Sequence, residues 1–216
     1  MRPIPHSTFR ACLLAIALVV TMPPLVHAQG KEPPPPLPAE YSEASRKAYS
    51  ATMKDARDLM ALKRYDEAIA KLDVLTKDRP REPQARFIKG VALTDLGKDD
   101  AAIAQFAALA ADFPELPEPH NNLAALYARK GQYDLARREL ELAVAADPDY
   151  GIANENLGDV YVRLAAAQYE RAGTLQKNSK TVPIKLKLVR DVLAVSPQAT
   201  PPATAGSAAD HKEKSK

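Results

Sequence analysis

Thiol chemistry is almost closed to this chain. Its one cysteine, Cys12, sits in an apolar run near the N-terminus, so residues 29–216 can form neither a disulfide framework nor a paired-cysteine metal site. Histidine is scarce too: His6 and His27 precede residue 29, and His211 lies in the terminal "DHKEKSK", leaving His120 alone among the patterned residues. There is no HExxH pair and no glycine-rich phosphate loop. "GKDDAA" at Gly97 reads instead as a turn entering a helix, with Asp99 and Asp100 at its positive end. Glu139 and Glu141, two apart, point to different helix faces, and neither they nor Asp149 have calcium-loop spacing. Ser, Asp and His never gather in a recognisable order. These absences argue against an enzyme and lead us to expect no cofactor, no metal and no small-molecule substrate. An excess of either charge is missing as well. The 30 basic residues against 27 acidic fall to 28 against 27 without Arg2 and Arg10, which gives no reason to expect nucleic acid.

Long hydrophobic runs are also lacking. The longest, "ACLLAIALVVTM", has twelve residues, short of the ~20 that a spanning helix needs. With Arg2 and Arg10 before it and the small residues of "VHA" after it, residues 1–28 read as a signal peptide cut between Ala28 and Gln29. Cys12 is preceded by "FRA", unlike a lipoprotein box. A periplasmic protein is therefore expected, with membrane contact only if the leader is retained. Proline crowds into "PPPPLP" at Pro33 to Pro38, a semi-rigid linker within residues 29–40, and into "SPQATPPATAGS", part of a tail over 196–216 expected to be disordered.

What is there is a period. Aligned against itself at 34 residues, the chain stacks Pro80, Pro114 and Pro148 in one column, Ala68, Ala102 and Ala136 in a second, and Leu72, Phe106 and Leu140 in a third. Further columns hold Ala56, Gly90, Ala124 and Gly158, then Leu59, Leu93, Tyr127 and Tyr161, with Gly97 and Gly131 at a turn. Small residues recur where a neighbouring helix must come close, and large apolar ones where a gap must be filled. Each unit reads as two antiparallel helices. In the third, "EPHNNLAALYARK" carries Leu123, Leu126 and Tyr127 at helical spacing, Gly131 turns the chain, and "YDLARRELELAVAAD" puts Leu135, Ala136, Leu140, Ala143 and Val144 on a stripe that Pro148 ends. One such hairpin cannot bury its own stripe, so units must stack.

These columns resemble the tetratricopeptide repeat family, whose signature is a 34-residue helix-turn-helix. The resemblance runs from Tyr49 to Pro148 as three units, with a fourth first helix from Ile152 to Arg163. It implies an all-α solenoid over residues 41–182, with units near 49–82, 83–116 and 117–150 and a partial one at 151–182. Unit one departs by carrying Lys63 where a glycine would turn. Unit four departs further, with neither glycine nor proline between Gly158 and Gly173. Leu164 to Ala172 then either continues one long helix, which alanine favours, or makes a tighter turn shifted by two residues. Residues 183–195, opening on Pro183 with Ile184, Leu188, Val189, Val192 and Val195 at helical spacing, read as a capping helix. A first helix is expected to start near Ala39.

The resemblance also implies a role: a scaffold that binds a protein or extended peptide in a concave groove lined by its first helices, in cell-envelope assembly. Carried over by position, that groove takes Met53, Lys54, Arg57 and Met60 in unit one, Phe87, Ile88, Val91 and Asp95 in unit two, Asn121, Asn122, Ala125 and Arg129 in unit three, and Glu155, Asn156, Asp159 and Arg163 in unit four. Asn122 and Asn156, 34 apart, would present amides able to pair with any peptide backbone. Asn121, matched by Glu155 in the next unit, reads as ordinary helix surface. His120 stands where the family most often has a large aromatic, and packing is its expected role. Lys177, Lys180, Lys185, Lys187 and Arg190 form a basic cluster that reads as a solvated face. An alternative is a membrane-tethered assembly factor with an uncleaved anchor, its basic region touching lipid.

Overall fold

A computed structural model describes residues 42–195, and the expected leader, linker and tail lie outside them. Among the described residues there are eight helices and no strand: α1 Glu43–Ala61, α2 Tyr65–Asp78, α3 Pro83–Asp95, α4 Asp99–Asp112, α5 Pro117–Arg129, α6 Tyr133–Ala146, α7 Gly151–Leu175 and α8 Val182–Val195. Each packs on the next, and α5 also meets α7 directly, so the hairpins stack. The first helix begins at Glu43 and not near Ala39, because Ser42 caps it: its hydroxyl accepts from the Ser45 amide at 3.2 Å.

The turns inside the first three hairpins are alike for a local reason. Arg64, Lys98 and Gln132 each donate a backbone N–H back to the carbonyl of Leu59, Leu93 and Tyr127, and the residue before each donor takes a left-handed conformation. Gly97 and Gly131 do so at φ 75° and 71°; Lys63 must do it at φ 58° with a Cβ. Between hairpins, Pro80, Pro114 and Pro148 lie just beyond the ends of α2, α4 and α6, while Pro83 and Pro117 open α3 and α5, where a missing N–H costs nothing.

The alanine column Ala68, Ala102, Ala136 is fully buried, and so are Leu72, Phe106 and Leu140. One apolar cluster runs from Met53 through Phe106 to Leu126. A second joins Ala124, Leu140, Tyr150, Ala153 and Val160. Leu135 leaves the stripe expected of it and is exposed.

The small-residue column splits. A Cβ on Gly90 would stand 2.6 Å from the buried Phe106 ring, so only glycine lets α3 and α4 close to this distance. Gly158 meets nothing within 4 Å. The cause is α7, one unbroken helix of 25 residues that passes straight through the place of the fourth turn. The fourth unit therefore has no second helix to pack on Gly158, and Tyr161 in the aromatic column stays exposed.

The last helix, α8, returns along the far half of α7. Val182 lies where a Cβ added to Gly173 would meet it at 3.8 Å, Arg190 pairs with Glu170 at 2.7 Å, and Lys185 lies 5.7 Å from the Tyr169 ring centre. It does not seal the stack as the expected capping helix would: Ile184, Leu188, Val192 and Val195 are 61%, 60%, 45% and 80% exposed. Among the described residues no helix is long and apolar enough to cross a membrane.

Candidate functional site

Three asparagines come together where α5 meets α7. The Asn156 amide on α7 donates to the Asn121 carbonyl oxygen on α5 at 2.8 Å, and Asn122 turns its own amide back to the Glu118 backbone carbonyl at 2.8 Å. All three side chains are buried. Asn122 and Asn156, expected to present their amides separately on an open inner face, are instead buried, with Asn156 bonded to Asn121, and Asn121 is not helix surface. The reason is helical phase: Asn121 lies about 100° before Asn122 around α5, which aims it at α7 while Asn122 looks along its own helix. These asparagines are 35 residues apart, so an in-register comparison at 34 passes over them.

This arrangement leaves two polar atoms without a hydrogen-bond partner: Asn121 Nδ2, a donor, and Asn122 Oδ1, an acceptor. Leaving a buried polar atom unpaired costs about 1–3 kcal/mol. Two on neighbouring residues therefore mark a local deficit of hydrogen bonds enclosed at the α5–α7 contact. The helix that carries them is the most enclosed of the eight, buried from Pro117 to Leu126, because it touches α4, α6 and α7 at once.

The other residues carried over by position separate. Phe87 and Val91 do not line an open groove. Both are buried in the first apolar cluster, with Phe87 tilted against Phe106 at 5.6 Å between ring centres, since an aromatic next to Gly90 fills the space that glycine opens. Met53, Ile88 and Ala125 are buried too, and Met60 packs half-buried against the same cluster. Lys54 is exposed and paired with Asp58 at 2.7 Å one turn along α1, while Arg57 is half-buried with its Nε enclosed. Both stand on α1, two units from the asparagines. Arg129 is tied to Asp99 at the start of α4, and Arg163 lies over the Tyr133 ring at 5.7 Å, so each arginine clamps a neighbouring helix. Asp95 and Glu155 are exposed.

On another side of the stack, His120 packs as expected but has a polar partner: its Nδ1 is 2.7 Å from Glu139 Oε2. The pair sits in an open cleft of about 520 Å³ between α4 and α6, lined otherwise by Ala107, Ala110, Pro114, Leu123 and Leu142 among other apolar residues. No hydroxyl, thiol or amine side chain is among the residues that line it. Among the described residues no group of three or more His, Cys, Asp or Glu could hold a metal ion.

Next to the asparagines, Tyr150 is buried where unit three passes into α7. Burial, with Glu118 and Asp147 adding their negative charge, pushes its phenol up to about 12. Tyr49 on α1 is raised as well, chiefly by burial.

Comparison with known proteins agrees with the repeat. One tetratricopeptide repeat profile matches residues 53–117 and another matches residues 117–150. No curated protein matches the chain. Among solved structures it is similar to MamA 41-end from Desulfovibrio magneticus RS-1, at 19% identity and a TM-score of 0.46, over 70% of this chain and 79% of that one. It is also similar to the MamA RS-1 ArsTM double mutant, at 19% identity and a TM-score of 0.51, over 78% of this chain and 97% of that one. At this identity the second likeness is one of fold, an all-α solenoid.

Proposed function

Because the chain belongs to the tetratricopeptide repeat family, with matched repeats over residues 53–150, we propose that this protein-interaction scaffold holds an extended segment of a partner protein against α5 and α7. Both atoms are enclosed in the unbound fold, so the partner's backbone pairs with the amide of Asn121 and the carbonyl of Asn122 as α5 and α7 part at the Asn121–Asn156 contact to admit it. The single observation behind this reading is that unpaired donor and acceptor on adjacent buried residues. A backbone group offers both partners whatever the side chains of the segment, which suits a scaffold. No residue of the site performs chemistry.

In this reading the scaffold acts in the periplasm, exported by residues 1–28, and its partner is another envelope protein. The support is in the sequence: two arginines, a twelve-residue apolar run and small residues before Gln29. Intact-mass measurement of the chain recovered from its own cells is expected to give an N-terminus at Gln29. A chain that keeps Cys12 would replace export by a membrane tether.

Photo-crosslinking in living cells tests the contact. A crosslinker at exposed Glu155, beside Asn156, is expected to capture a discrete protein partner, and Asn121→Leu with Asn156→Leu is expected to abolish the adduct while thermal stability holds. If the adduct survives in the double variant, the asparagines serve only the packing of α5 on α7.

A further inference from the structure

The apolar residues of α8 fall on two opposite faces. Leu186, Val189 and Leu193 are half-buried and face α7, while Ile184, Leu188, Val192 and Val195 run along the outer face and touch nothing that covers them. A helix that is apolar on both faces is ordinarily an inner layer, and the last helix of a repeat array needs a polar outer face if it is to end the stack. From this we infer that the outer face of α8 is a homodimer interface, covered by α8 of a second copy of this chain in antiparallel register.

The register comes from the spacing. Two helices crossing antiparallel about a two-fold axis pair residues whose numbers share one sum. Ile184 with Val195 centres between residues 189 and 190 and Leu188 with Val192 on residue 190, so the two sums differ by one and the stripe matches its own reverse to within one residue, about 1.5 Å along the helix. The charges at its edge pair about a centre at residue 189, within one residue of the apolar pairs. Lys187 and Asp191 flank the stripe on one side, 2.7 Å apart within the helix. About a two-fold axis near residue 189, Lys187 of one copy stands opposite Asp191 of the other, twice. On the opposite edge Lys185 approaches its own counterpart only to roughly 12–14 Å, beyond the Debye length of about 8 Å at physiological salt, so that repulsion is screened.

A lipid surface fits the face less well. Asp191 on the edge of the stripe would meet anionic headgroups, and α8 has no aromatic residue to seat at an interface. The stripe exposes on the order of 400 Å², against ~800 Å² a side in a stable complex. The dimer is accordingly weak and visible only as a concentration dependence.

Sedimentation equilibrium of the purified full chain reads this directly. The wild type is expected to pass from monomer to dimer as concentration rises, and Leu188→Asp to weaken that association by ~30-fold or more, with circular dichroism unchanged. Lys187→Asp and Asp191→Lys are each expected to be monomeric alone, since like charges then face each other, and to dimerise when mixed in equal amounts. Both lose the same bond within α8, so recovery on mixing reports the contact between copies and not the helix. The inference is overturned if the wild type stays monomeric to about 1 mM, if Leu188→Asp dimerises as well as the wild type, or if the mixture does not recover. It is overturned in favour of lipid if the monomer sediments with phosphatidylglycerol vesicles and Leu188→Asp does not.

Discussion

At the scale of single residues, the hairpin turns and the small-residue column make opposite demands on side chains. Lys63 holds a left-handed conformation that Gly97 and Gly131 take freely. Lys63→Gly is therefore expected to raise stability by about 1 kcal/mol in chemical denaturation, an unusual sign for a substitution to glycine. Gly90→Ala is expected to cost about 1–3 kcal/mol, because the Phe106 ring it would strike is fully buried and has nowhere to swing. Gly158→Ala, from the same column, is expected to be stabilising by roughly 0.5–1 kcal/mol through helix propensity alone. Tyr150 adds a dependence on pH. Folded and unfolded chains both keep its proton below pH 10; above that the unfolded chain loses it, while the folded one keeps it to about 12. Its contribution to stability thus declines as pH rises from 10 to 12, and Tyr150→Phe is expected to flatten that decline in a pH series of melting curves. The sequence marked Gly90 and Gly158 as equals because a column records recurrence, and only the helix that arrives distinguishes them. For the asparagines the misleading assumption was strict register. Their contact spans 35 residues, since the geometry between stacked helices is set by the angle around each helix and not by the repeat count.

At the scale of elements, α7 decides what the fourth unit is. Its middle is rich in alanine and has no breaker, which is why the sequence leaned toward one helix there. Proline at exposed Ala167 is expected to cost ~3 kcal/mol or more in denaturation, where a turn would have accepted it. The turns and buried columns of the first three hairpins were legible, because proline and the small and large apolar columns agree about them, while the start of α1 at Glu43 and the exposure of Leu135 were not. The groove was not. Periodicity tells which residues share a face of a helix, but Phe87 and Val91 show that it does not tell whether a neighbour covers that face. The five apolar residues assigned to one sealing stripe of α8 likewise divide between two faces, with Val189 turned inward and the other four outward.

At the scale of the whole molecule, stability should be graded along the stack. Helices α3 to α6 pack on both sides and carry most of the fully buried side chains, whereas α1 buries only Met53 and Ala56 and α8 only Val182. Hydrogen exchange is expected to be slowest in α3–α6 and to quicken toward α1 and α8, as in arrays where each unit is held by its neighbours. Uniform protection through all eight helices would mean a single cooperative unit instead.

The unbroken α7 also acts as a phase link between the repeats and everything beyond them. A rigid helix transmits angle: one residue inserted between Leu164 and Ala172 rotates all that follows by ~100° and advances it by ~1.5 Å, whereas seven residues, two nearly complete turns, restore the original bearing to within about 20°. The direction in which α8 offers its outer face is thus encoded in the residue count of α7. A change of chain length there would re-aim the last helix without altering one residue of either surface.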